Sequence, residues 1–281
     1  MCQFSVINGL PPVLSSFKIF WIWRVPYYYS AMRKKNTSIR KTARDNKRYS
    51  DTSIGRWFLK LALWIIYGIF LYQIWLLFHV LYWKHNNPQS TAFMESQLEI
   101  LRADDANAAL HHQWKSYQHI SDEIKRAVVA AEDSQFLRHS GFDYDALWHA
   151  FQKNLSQGRV NAGGSTISQQ LAKNLFLSDN KSFLRKAQEA IITVMLEQVM
   201  SKQRILEIYL NVIEWGNGVF GAEAAAQHYF GRSAADLTPH QAALLAAMIP
   251  RPRYYDNNRD SLHLLKKRDI LLKRAHSAKI P

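Results

Sequence analysis

The sequence predicts a mainly α-helical domain that follows a single N-terminal transmembrane helix. Residues 61–83 form a 23-residue run without a formal charge, which is long enough to cross a bilayer. From residue 95 onward, apolar residues recur at helical spacing, and no run of alternating polar and apolar residues predicts a strand. Helix-capping signals precede several of these stretches, which supports the helical prediction.

Composition limits the class of protein. With 281 residues, 48% hydrophobic and 13% aromatic, the chain is too apolar for a disordered basic tail. Its single cysteine, Cys2, excludes an intramolecular disulfide framework and a cysteine-rich zinc site. The first 31 residues match no clear element, and we expect translation to begin at Met32.

The net charge of +14 is concentrated before the apolar run, because residues 1–60 carry +10 of it. The basic run 33–48 is typical of a nucleic-acid-binding segment or of a topology signal beside a spanning helix. Its position favours the topology signal, with contacts to anionic lipid, so we expect no nucleic-acid partner. Six Lys and Arg precede residue 61 within 20 residues and two follow residue 83. This bias places the N-terminus in the cytoplasm and exports the rest.

Two alternatives for residues 61–83 are a buried core helix and a cleaved signal peptide. A core helix of this length normally shows a polar stripe, and a signal peptide ends at a small-residue cleavage site. Neither feature is present, since Lys84 to Pro88 follow the run. The sequence therefore divides into a basic cytoplasmic segment (1–60), a transmembrane helix (61–83), a linker (84–115), a main domain (116–256) and a tail (257–281).

The helices of the main domain are predicted from caps and periodicity. Ser121 is a candidate cap, and Leu147, Phe151 and Leu155 mark one face of the next helix. Thr166 with Gln169 fits a capping box. Further apolar helical stretches cover residues 190–200 and 205–210. A second capping box, Thr238 with Gln241 and Pro239 at the first helical position, opens a helix that Pro250 and Pro252 end.

Three groups of residues are candidates for chemistry. Glu132 and Asp133 end an apolar helix, where burial would suit Glu132 to act as a general base, although a solvated helix end is the alternative. Ser165 and Thr166 lie at a helix N-terminus that suits an anion, or they simply cap it. Cations then gather beside Glu189, either as a solvated face or as a diphosphate site: Lys173, Lys181, Arg185 and Lys186.

Five ordered stretches resemble the motifs of the peptidoglycan glycosyltransferases, glycosyltransferase family 51, and in particular its monofunctional branch. They are EDSQFLRHSG (132–141), GGSTISQQLAKN (163–174), RKAQE (185–189), KQRILEIYLN (202–211) and GVFGAEAAAQHYFG (218–231). Ser168 stands where the family usually has Thr, and Lys181 where Arg is common. The resemblance implies a lysozyme-like fold with a small membrane-facing subdomain.

The resemblance also implies a reaction: polymerisation of lipid II into β-1,4-linked glycan with inversion at the donor anomeric carbon. Glu132 would take the proton of the acceptor hydroxyl, and Glu189 would assist the departing diphosphate. Substrate-binding roles are implied for Asp133, Phe136, His139, Ser165, Thr166, Gln169, Gln170, Lys173, Lys181, Arg185 and Lys186. Tyr209 and Asn211 either serve the site or only pack.

The implied partners are lipid II, the growing lipid-linked glycan, membrane lipids and other cell-wall synthesis or division proteins. The implied location is the bacterial inner membrane, with the catalytic domain in the periplasm. No cofactor is required by the sequence, and an Mg²⁺ or Mn²⁺ ion near Glu189 is an option. Two alternatives stay open: a lysozyme-like enzyme that cleaves peptidoglycan, and a scaffold that binds lipid II without turnover.

Overall fold

A computed structural model describes residues 25–158, 163–177 and 182–281. The first helix, α1, is Val25–Trp83, and its part Gly55–Trp83 is long and apolar enough to cross a membrane. The predicted span 61–83 lies inside this part. Helix α1 begins earlier than expected, since residues 25–31 were predicted to match no element, while residues 1–24 lie outside the described residues. The chain divides into two compact units, residues 1–70 and 71–281.

The second unit is mainly α-helical, as the sequence predicted. Its helices follow α1 in chain order: α2 Ala92–Asp104, α3 Asp122–Glu132, α4 Tyr144–Gln157, α5 Ile167–Phe176, α6 Phe183–Val199, α7 Lys202–Val212, α8 Ala222–Phe230, α9 Pro239–Met248, α10 Pro252–Asp256 and α11 Leu262–Ala275. Residues 257–281, expected as a tail, therefore contain helix α11.

The predicted helix starts are confirmed by side-chain hydrogen bonds. Ser121 caps α3 by accepting from the Ile124 amide at 3.4 Å. Both capping boxes form, at Thr166 with Gln169 on α5 and at Thr238 with Gln241 on α9. Each box satisfies backbone donors that a helix start leaves without intrahelical partners.

A small sheet of three strands was not predicted. The strands are β1 His111–His112, β2 Glu214–Gly216 and β3 Val219–Phe220, in the order β1-β3-β2. Strand β3 is parallel to β1 and antiparallel to β2. Strands this short show no alternation, so the periodicity signal is missing. The Asn217-Gly218 turn, with φ of +73° at Gly218, was the available signal for a hairpin.

The core lies where α3, α9 and α11 pack together and where α5 packs against α2, α6 and α7. Helix α4 differs from these, because none of its residues is buried. Its apolar stripe includes Trp148, 58% exposed, and Leu155, 72% exposed. The predicted amphipathic helix thus forms with its apolar face outward, a patch typical of contact with another protein or a membrane.

Candidate active site

Glu132 is the last residue of α3, whose apolar face is buried through Ile124 and Val128. Packing of that face carries the helix end, and with it the carboxyl group, into the domain. Glu132 Oε2 accepts a hydrogen bond from Gln170 Nε2 at 2.8 Å. Burial raises the pKa of the Glu132 carboxyl, while the Gln170 bond and the charge of Lys267 act in the opposite direction. This carboxyl group has the environment of a general base or acid.

The orientation of Gln170 is set by Tyr209. The Tyr209 hydroxyl donates to Gln170 Oε1 at 2.8 Å, which directs the Gln170 NH₂ group toward Glu132. Tyr209 is completely buried, and burial raises its pKa well above the ordinary value. The hydroxyl therefore stays protonated and remains a donor. The contact with Gln170, beside Glu132, favours the first of the two options that the sequence left for Tyr209.

Asp133, the C-cap residue of α3, joins the first two motifs. Its Oδ1 atom contacts His139 Nε2 at 2.8 Å, and its Oδ2 atom accepts from the Ile167 amide at 3.1 Å, at the start of α5. Because His139 Nδ1 accepts from the Gly141 amide at 3.2 Å, the ring proton lies on Nε2 and points at Asp133. Thr166 adds a bond from its hydroxyl to the Gly141 carbonyl at 2.7 Å. The start of α5 is thus fixed beside Glu132.

Phe136 and Ser168 support this junction from behind. Phe136 is fully buried, with Lys202 Nζ 4.5 Å from its ring centroid. Lys202 also pairs with Glu197 at 2.8 Å, and the Ser168 hydroxyl donates to the same carboxylate. A hydroxyl at position 168 therefore has a buried acceptor. Gln169 is buried as well, and its amide oxygen serves the capping box.

Glu189 lies on α6 inside a cluster of cations. It is buried, and its carboxylate pairs with Arg185 Nη1 at 2.8 Å and with Lys186 Nζ. Lys186 Nζ also lies 3.4 Å from Ser165 Oγ, which connects α6 to the segment before α5. Within the described part of the chain, Arg185 Nε is buried without a hydrogen-bond acceptor. A buried guanidinium donor in this state is a ready position for an anionic oxygen.

Of the two other predicted cations, the structure describes only Lys173. Lys173 lies on α5, with its Nζ atom 5.4 Å from the Phe93 ring centroid. Lys181 lies outside the described residues.

Asn211 belongs to packing, because its side chain binds the backbone of Lys115 at 2.8 Å through both its oxygen and its nitrogen.

The environment of Glu189 does not fit a resident divalent cation. Such an ion prefers several oxygen ligands. Both Glu189 oxygens already have cationic partners, and the described residues include no group of three metal-ligating side chains. The optional Mg²⁺ or Mn²⁺ ion therefore has no ligand set among the described residues.

Lys267 is a site residue that the sequence analysis missed. It lies on α11, where its charge acts on Glu132, and its Nζ atom is 3.4 Å from the Ala247 carbonyl. Burial lowers the pKa of Lys267. Its sequence signal was its place between Leu264 and Leu271, both buried on the same helix face. A lysine in such a stripe indicates a charge held against the core.

The fold and the site together favour an enzyme, with one half-buried carboxyl group bonded to an amide and a second held among cations. Comparison with known proteins gives the family. Residues 99–276 match the family model for transglycosylases. The chain is 58% identical over 226 residues to a biosynthetic peptidoglycan transglycosylase of Nitrosospira multiformis, covering 80% of this chain and 98% of that protein. A protein of the same name from Laribacter hongkongensis is 54% identical over 225 residues, covering 78% and 99%.

The chain belongs to the transglycosylase family. It is therefore a glycosyltransferase, and its described residues include one candidate membrane helix, on the N-terminal side.

Proposed function

We propose that this transglycosylase polymerises lipid II into β-1,4-linked peptidoglycan strands, with inversion at the MurNAc anomeric carbon of the donor. The proposal rests on membership of the family and on the names of the relatives. The observation that carries the mechanism is the half-buried Glu132 carboxyl, held by Gln170 with its pKa raised. A base with a raised pKa is better matched to proton removal near neutral pH than an ordinary carboxylate.

In the proposed reaction, the acceptor sugar's 4-hydroxyl attacks the donor anomeric carbon from the face opposite the leaving group. Glu132 takes the hydroxyl proton as the new C–O bond forms. The bond between the anomeric carbon and the diphosphate oxygen breaks, and its electron pair leaves with undecaprenyl diphosphate. One inverting displacement of this kind needs one base and a stabilised leaving group.

The cationic cluster supplies the second requirement. Arg185 and Lys186 would share their charge between Glu189 and the departing diphosphate, and the buried Arg185 Nε is free for a phosphate oxygen. Lys173 and Lys181 are proposed as further diphosphate contacts. Ser165 and Gln170 would line the cleft, while Asp133, Phe136, His139, Thr166 and Gln169 would hold the start of α5 in position.

A peptidoglycan-cleaving enzyme would not need this cluster, because glycan cleavage releases no diphosphate.

We also propose that the chain is anchored in the inner membrane with its N-terminus in the cytoplasm and its catalytic domain in the periplasm. The uneven distribution of Lys and Arg around residues 61–83 supports this orientation. A site near the bilayer suits a lipid-linked donor and acceptor.

The test is an assay with the purified full chain and two substrates. Lipid II is scored for polymer, and preformed glycan is scored for fragments. We expect polymer and no fragments, and we expect E132Q to lose the activity while keeping the fold. The matched control is E99Q, which changes an exposed glutamate on α2. Fragments would indicate a cleaving enzyme, and binding of lipid II without turnover would indicate a scaffold; either result would contradict the proposal.

A further inference from the structure

The last three turns of α1, residues 71–83, have two different faces. Leu76 and Val80 are fully buried in the catalytic unit, and Gln73 and Trp83 are half-buried on the same face. Phe78 and Tyr82, on the other face, are 64% and 52% exposed. The spacing of three, four and three residues from 73 to 83 is that of a helix packed along one side. This end of α1 thus packs one face on the catalytic unit and leaves the other, apolar face exposed.

A pair of amides lies on the protein face. Gln73 Nε2 donates to Gln188 Oε1 at 3.0 Å, and Gln188 Nε2 donates to Gln73 Oε1 at 3.1 Å. Gln73 precedes Trp83 by ten residues, which is about 15 Å along a helix. An amide in this largely apolar interface is costly without a partner, so each glutamine satisfies the other.

Arg204 of α7 holds the other end of this segment. Its Nε and Nη2 atoms donate to the Trp83 carbonyl at 3.1 and 2.9 Å, and Nη2 donates to the Asn86 carbonyl at 2.6 Å. The last carbonyls of a helix have no intrahelical partner and favour a cation. The segment is therefore fixed by polar contacts at two levels, with apolar contacts between them.

We propose that the Gln73–Gln188 pair is a register lock that sets the depth of α6 relative to the membrane. Apolar contacts such as those of Leu76 and Val80 tolerate sliding, whereas a reciprocal amide pair forms at one register only. A buried polar pair fixes helix register in coiled coils in the same way. Gln188 directly precedes Glu189, so the register of α6 also sets the depth of the cationic cluster. Gln73 and Gln188 are thus positioning residues for that cluster.

The alternative is that the pair only contributes to packing, and a double-variant cycle separates the two roles. The full chain is reconstituted in vesicles of phosphatidylethanolamine and phosphatidylglycerol as Q73L, Q188L and Q73L/Q188L. The control is Q198L, because Gln198 is an exposed glutamine on the same α6 helix. Depth is measured by doxyl-lipid quenching of a bimane label at I191C, an exposed α6 position, in a C2S background.

Each single substitution should lower the thermal unfolding midpoint, because it leaves one amide unpaired. The double substitution should recover most of the lost thermal stability, since two leucines pack together without leaving a polar group unpaired. Its label should nevertheless show a shifted or broadened depth, because only the Arg204 contacts at the end of α1 then oppose sliding. A double variant with the label depth of the parent chain would overturn the proposal. So would single variants that match Q198L in both midpoint and depth.

Turnover gives a second readout, which rests on the proposed function. The double variant should polymerise lipid II with kcat/KM about threefold to tenfold lower than the parent, the range expected for interhelical hydrogen bonds in membranes. Recovered stability with reduced turnover is a result that a purely structural role does not produce. Double-variant turnover equal to that of the parent would count against the lock. Absence of polymer from the parent chain would refute the proposed function instead, and the label depth would still decide the register lock.

Discussion

At the scale of single residues, the site depends on the order in which three side chains are connected. Tyr209 donates to Gln170, and Gln170 donates to Glu132. An amide can present either its oxygen or its nitrogen, and only the nitrogen can bind a carboxylate. The tyrosine hydroxyl makes this choice, because it requires an acceptor from Gln170. Tyr209 is therefore a positioning residue for the proposed base.

The substitution Y209F tests this connection. Without the hydroxyl, Gln170 is free to turn, and kcat should fall about five- to tenfold, as expected for one lost buried hydrogen bond. KM should change little, since Tyr209 is buried behind Gln170. The control is Y255F, which removes another buried tyrosine hydroxyl, bound to His263 at 3.1 Å. Equal effects of the two variants on kcat would show that Tyr209 only stabilises the fold.

Lys267 leads to a prediction about pH. Its positive charge lowers the pKa of Glu132, so K267M should raise that pKa. A base works in its deprotonated form, and the acidic limb of the pH–rate profile should therefore move to higher pH. K266M, which removes an exposed charge from the same α11 helix, should leave the limb in place. An acidic limb that K267M does not move would show that the two groups are not coupled.

These residues differ in how far the sequence could predict them. The position of Glu132 at the end of an apolar helix left a solvated helix end as the alternative, and the motif resemblance predicted its role. Tyr209 and Asn211 occupy one motif, and only their partners separate them, since Tyr209 bonds to Gln170 and Asn211 to the Lys115 backbone. The charge of Lys267 reaches Glu132 through the packing of α11 on α3, which no local pattern encodes.

At the scale of elements, the site is a junction between the loop after α3 and the start of α5. Asp133 and Thr166 bind across this junction, to the Ile167 amide and the Gly141 carbonyl. Gly141 has a φ of +96°, and a Cβ atom there would lie 2.7 Å from Thr193 Cγ2 on α6. The third element at the junction thus approaches closely enough that only glycine fits.

The variant G141A should therefore lose stability for two reasons. The backbone conformation is unfavourable for alanine, and the new methyl group meets Thr193, so we expect a loss of about 2–3 kcal/mol in the free energy of unfolding. G158A is the control, because Gly158 has a φ of +61° with nothing within 4 Å of a Cβ atom, and it should cost about 1–2 kcal/mol. Adding T193S to G141A should recover the steric part. Denaturant unfolding measures all three, and equal losses in G141A and G158A would argue against the close contact.

Elements were predictable where local chemistry decides them. Capping boxes such as that of Thr166 and Gln169 depend on residues three apart, and both appeared where expected. The β1–β3 pairing joins His111 to Val219 across more than a hundred residues, so no local signal could reveal it. The sequence could not predict that the apolar face of α4 points outward either. Periodicity shows which residues share a face, but not what that face contacts.

At the scale of the whole molecule, the proposed base Glu132 opposes folding in its charged form. Burial raises the pKa of Glu132, so its charged form is less stable in the folded state than in the unfolded state. Its contribution to stability is present at low pH and is lost as the pH rises through the folded pKa. The pKa of Glu223 shifts in the opposite direction. Burial alone would raise its pKa, but hydrogen bonds from Ala234, Gln227 and Ser233 and the charge of Lys115 outweigh burial and lower it.

The two carboxyl groups therefore predict opposite pH profiles of stability. E132Q removes a buried charge, so at pH 8 it should be more stable than the parent chain, by about 2–4 °C if the gain is about 1 kcal/mol. This gain should vanish as the pH falls below the ordinary range of a glutamate. E223Q should be less stable than the parent at pH 8, because it loses a carboxylate that accepts from the Ala234 amide at 2.7 Å. Its deficit should shrink as acid protonates Glu223 in the parent. Thermal unfolding of both variants from pH 4 to pH 8 measures these profiles. If E132Q is less stable than the parent chain at pH 8, the charged Glu132 carboxylate does not destabilise the folded state.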